Sequence, residues 1–108
     1  MDAATGHAPR LLPWPSPEGK RCYLDSDVGN GYVSRLADGM EALQLATAAE
    51  VLLHARQMLD GANSPRSELY FVSARLSECL ADVLRVAESR GARLPRADAP
   101  DGLRGDCT

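Results

Sequence analysis

The chain has one lysine, one tryptophan, one phenylalanine and only three cysteines, and each scarcity excludes something. Cys22, Cys79 and Cys107 are an odd number without close spacing, so a disulfide framework is not expected and a reducing cytosol is the default compartment. Lys20 is the only lysine, and the arginines are interleaved with 15 acidic residues to a net charge of −3. No basic block exists to drive phosphate binding, so nucleic acid is not an expected partner. No uninterrupted apolar run approaches the ~20 residues that span a bilayer. Near the N-terminus, Leu11 and Leu12 run straight into Pro13, so no signal peptide is expected and the location is read as cytoplasmic. A length of 108 residues allows one domain.

What is present falls into three segments. Residues 1–31 form a Pro- and Gly-rich arm. Pro9, Pro13, Pro15 and Pro17 fix φ and remove donors, which makes the arm extended. Pro17-Glu18-Gly19-Lys20 reads as a tight turn, and Arg21-Cys22-Tyr23-Leu24 as a strand-like run. That run has a partner only if residues near Leu11 pair back across the turn, and such a hairpin needs support from the helices or from a second subunit. Trp14 reads either as an aromatic packed loosely on the helices or as an anchor for a partner groove. The loop from Asp25 to Gly31 alternates carboxylates like a calcium loop. It lacks glycine at the sixth position, where Asn30 stands, and a bidentate glutamate at the twelfth, where Leu36 stands.

Residues 32–91 carry the helical pattern, with helices expected over about 32–59 and 65–90. In the first, Leu36, Met40, Leu43, Thr47, Val51, His54 and Met58 fall on one line. Leu45, Ala48, Leu52, Ala55 and Leu59 fall on another. Together they cover roughly 200° of circumference, against the ~100° stripe of an ordinary surface helix. Glu41 and Gln44 sit inside that arc and mark a seam between two contact surfaces. Gly39, in mid-helix, is either a close crossing point or a tolerated weakness. Gly61 is a helix-ending residue suited to a left-handed φ. Ser64-Pro65 reads as an N-cap followed by proline at the first helical position. The second helix has a narrower stripe through Leu69, Val72, Leu76, Cys79, Leu80, Val83, Leu84, Val86 and Ala87, with Phe71 on its charged, exposed side. Gly91 reads as the stop and Pro95 as the bar to resumption. Residues 92–108 read as a disordered tail.

A short link makes the helices antiparallel neighbours. A lone hairpin hides one side of each helix, which suits the second helix but not the first. Leaving Leu45, Leu52 and Leu59 in water forgoes roughly 1.5–3 kcal/mol for each side chain. The expected class is therefore all-α: a long antiparallel two-helix hairpin that dimerises into a four-helix bundle, or packs against another helical protein. The residues expected to carry contacts are Trp14, Leu45, Leu52, Leu59 and Phe71.

Chemistry-bearing constellations are sparse. His54 lies in the apolar arc, and Cys79 is the only other donor expected near it in the bundle. One histidine and one cysteine are too few for a structural zinc site, and as a nucleophile–base pair they lack an orienting third group. No catalytic residue, cofactor or metal is expected. A helix-turn-helix reading fits poorly, because the helices are long and the second one's exposed face is mixed in sign. Arg90, Arg93, Arg96 and Arg104 nevertheless offer possible phosphate contacts.

Pro13-Trp14 with Pro17-Glu18-Gly19-Lys20, the run Tyr32 to Asp38, and the run Leu84 to Pro95 resemble small uncharacterised helical proteins of actinomycetes. The resemblance covers about residues 11–95. That group has no assigned activity, so the resemblance implies a cytoplasmic accessory role and no catalytic residue. The reading that results is a non-enzymatic helical interaction module, a regulatory accessory, with a DNA-associated transcriptional regulator as the alternative.

Overall fold

A computed structural model describes residues 9–25, 31–61 and 63–94. The element order is β1 (Arg10–Pro15), β2 (Arg21–Leu24), α1 (Gly31–Asp60) and α2 (Arg66–Arg93). The molecule is mostly helical, with the two long helices as expected. It is not all-α, because β1 and β2 pair as a two-stranded antiparallel sheet. The calcium-like part of the 25–31 loop, the 95–108 tail and the arm before Pro9 lie outside the described residues.

Proline shapes the sheet. Arg10 pairs with Leu24, Leu11 with Tyr23 and Pro15 with Arg21, so β1 carries extra residues between Leu11 and Pro15. Pro13 has no N–H to give to a ladder, and a bulge is where a strand tolerates that. The turn is closed by the Gly19 N–H donating to the Ser16 carbonyl and the Ser16 N–H donating to the Lys20 carbonyl, each at 2.8 Å. Ser16 Oγ accepts from the N–H groups of Glu18 and Lys20. Gly19 has φ of 84°, the left-handed conformation that glycine enters without a Cβ penalty.

The helix ends depart from the sequence reading. Gly61 does not take a left-handed φ; its N–H closes onto the Met58 carbonyl at 3.2 Å. Pro65, not Ser64, caps α2, with φ −63° and ψ 152° and no side-chain cap bond. The Pro65 carbonyl receives the N–H groups of Glu68 and Leu69, and proline offers no side-chain acceptor to add to that. At the far end α2 runs through Gly91 to Arg93. Arg90 and Arg93 are both tied to Glu41, which holds the last turn in helical form past the expected stop.

The helices meet along a narrower seam than the apolar arc. Ala37, Glu41 and Ala55 are the buried residues of α1, and Val72, Cys79, Val86 and Ser89 those of α2. With Gln44 and Ala48 half-buried, the α1 seam runs 37-41-44-48-55, a three-four spacing that keeps one line facing its partner. The leucines of α1 therefore flank the seam instead of filling it. Gly39 has nothing within 4 Å of where a Cβ would stand, so it is a tolerated weakness and not a crossing point.

Candidate interaction surface

The open end of the helical hairpin is built around one carboxylate. Glu41 is 1% exposed and receives three arginines from two elements. Arg10 Nη2 lies 3.2 Å from Oε2, while Arg90 Nε and Arg93 Nη2 lie 3.1 and 3.4 Å from Oε1. Arg10, itself 8% exposed, also donates to Asp38 at 2.8 Å and to the carbonyl and hydroxyl of Ser34. A charge taken this far out of water persists only when paired and hydrogen-bonded, and here the pairing joins β1, α1 and α2.

Two neutral contacts complete the attachment. Ser89 Oγ donates to the Leu11 carbonyl at 2.8 Å and accepts from Arg93. Gln44 Nε2 donates to the Pro13 carbonyl at 3.0 Å. Leu11, Leu12 and Pro13 are buried beneath these bonds. Glu41 and Gln44 thus mark the seam, as the sequence reading has it, and its occupants are the sheet and the end of α2. Further along, Arg21 on β2 pairs with Glu88 on α2, and the guanidinium's hydrogen bond holds the Glu88 carboxyl below the usual carboxylate range.

The rest of the hairpin is open. On one flank, Val51 and His54 line a groove with Phe71, Val72 and Arg75. On the other, Ala48 and Leu52 line a groove with Leu76, Cys79, Leu80 and Val83. His54 and Cys79 therefore belong to different grooves. Helical geometry separates them: Cys79 is buried on the seam, and His54 is exposed well round from it. Among the described residues, no three His, Cys, Asp or Glu side chains gather as a metal-holding group.

No protein-family model, curated protein or solved structure matches the chain. The surface therefore has to be read from its own chemistry.

The expected contact residues divide. Leu52 is 43% exposed and Leu59 78%, while Leu45 is half-buried. Across the same groove α2 shows Leu80 exposed, and helical spacing puts the exposed Leu69 and Leu84 on the same side of α2. Phe71 is 62% exposed, as read, but it stands on the opposite flank. Trp14 is half-buried in β1, so it belongs to the sheet's attachment as much as to any surface. The sequence reading missed the role of Arg10, whose only signal was its place beside two buried leucines. It also placed Arg90 and Arg93 among loose phosphate contacts, whereas both are held on Glu41. Among the described residues no helix is long and apolar enough to cross a membrane.

Proposed function

We propose that this chain is a non-enzymatic, cytoplasmic helical interaction module that works as a homodimer, in the role of a regulatory accessory. One observation carries the reading. A hairpin held firmly at one end by its own sheet leaves Leu52, Leu59, Leu69, Leu80 and Leu84 in water on the flank lined by Cys79. An apolar surface of this extent on a small chain is typical of a protein contact site.

The DNA-associated alternative has less support, because Arg90 and Arg93 spend their charge on Glu41. The test is mass in solution by light scattering at tens of micromolar. A dimer is expected. Leu52→Asp should convert it to a folded monomer, with helical circular dichroism retained. A wild-type monomer with cooperative unfolding overturns the proposal.

A further inference from the structure

We infer that the second copy docks antiparallel, α1 on α1 and α2 on α2, about a twofold axis that crosses α1 at residue 47 and α2 near Leu80. This rests on the homodimer reading and specifies its interface.

The argument begins with a line on α1 spaced four-three-four-three-four: Asp38, Ala42, Leu45, Ala49, Leu52 and Arg56. These residues share one face of the helix. Apart from the half-buried Leu45 all are exposed, on the flank that carries the Leu52 groove. The line is its own complement when reversed about residue 47. Leu45 then meets the partner's Ala49, and Leu52 meets the partner's Ala42, a large residue against a small one each time. Asp38, which holds Arg10 at 2.8 Å and is still 65% exposed, meets the partner's Arg56, with opposite charge. Each of these pairs occurs twice by symmetry.

The second helix obeys the same axis. Ala48 and Leu52 share their groove with Leu76, Cys79 and Leu80, so residue 47 of α1 lies level with about Leu80. Reversal about Leu80 sets Leu76 against the partner's Leu84, and Leu69 against the partner's Gly91. Leu80 meets its own copy on the axis. No charge lies on this face of α2 between Leu69 and Gly91, so nothing there needs a counter-ion.

Charge also selects between the two possible twofold arrangements. An axis running along the helices would stack α1 on the partner's α2. Arg56 would then face the level of Phe71 and lose its acidic partner. Opposite charges at both ends of α1 favour the antiparallel form and penalise the alternative. The face is large enough. From Arg35 to Asp60 it runs about 39 Å, and two helices each about 10 Å wide present an area near the ~800 Å² per partner of a standard interface.

The experiment uses the full chain with Cys22 and Cys107 changed to serine and Leu80→Cys added. Oxidation should yield a covalent dimer through position 80, whereas Phe71→Cys in the same background should not. Alongside it, Ala42→Leu and Leu52→Ala, which change the small and the large residue that face each other across the axis, should each raise the dissociation constant several-fold, and the double variant should restore it to within about twofold. Circular dichroism confirms that each variant is folded. If the wild type is a dimer but Leu80→Cys does not cross-link and the exchange of Ala42 and Leu52 does not rescue, this interface is wrong while the homodimer stands. If the wild type is a monomer, both fail.

Discussion

Arg90 Nε and Glu41 Oε1 lie 3.1 Å apart, joining the final turns of α2 to the first third of α1. The pair is lopsided, because Glu41 is buried while Arg90 is half exposed. The carboxylate is therefore the member whose loss matters. Glu41→Ala should destabilise the protein by about 3–5 kcal/mol, the cost of stranding a buried partner charge, here Arg10. Arg10→Met with Glu41→Leu should recover a large part of that. Urea denaturation of the two variants and the wild type measures both effects.

Ser89 tests the neutral side of the same attachment. Ser89→Ala leaves the Leu11 carbonyl without its donor and removes an acceptor from Arg93. An unmet buried group costs about 1–3 kcal/mol. Hydrogen exchange should rise in β1 and β2 first, with the middle of both helices little changed.

Gly39→Ala should stabilise the fold by about 1 kcal/mol, because the site is helical and a methyl group meets nothing there. A thermal melt checks the sign. A loss of stability would mean that Gly39 serves a contact which this chain alone does not supply.

Glu88 gives the pH dependence. Its folded carboxyl is held low by the hydrogen bond from Arg21. The unfolded chain therefore binds the proton more readily, so the pair stabilises the fold above the ordinary glutamate range. That contribution disappears as pH falls through the lower, folded value. Both side chains are about half exposed, so the effect is small and weakens with salt. A carboxyl NMR titration should show the Glu88 midpoint rise towards the normal range in Arg21→Gln.

Much of the fold was legible in the residues. Two helices with a link near Gly61 follow from period and punctuation, and the Arg21–Leu24 run was readable as a strand that needed a partner. The mistakes about the seam share one cause. Periodicity ranks positions by hydrophobicity, whereas contact between these helices selects small residues. The buried line of α1 runs through Ala37 and Ala55 with Glu41 between them, and the larger leucines stand beside it. A buried glutamate cannot be told from a solvated one until its arginines are placed, and these come from 31 residues before it and 49 and 52 after it. The candidate surface was half legible for the same reason: the Leu45–Leu52–Leu59 edge came from the pattern, its α2 counterpart only from the shared groove.

The chain turns back between α1 and α2 at the 61–65 link. The tightest grip is at the opposite end, on Glu41, and the 61–65 link has no side-chain cap on α2. A protease cut in that link would leave two fragments still clasped by the sheet and the arginines. Separately expressed halves, residues 9–61 and 63–94, should reassemble on mixing.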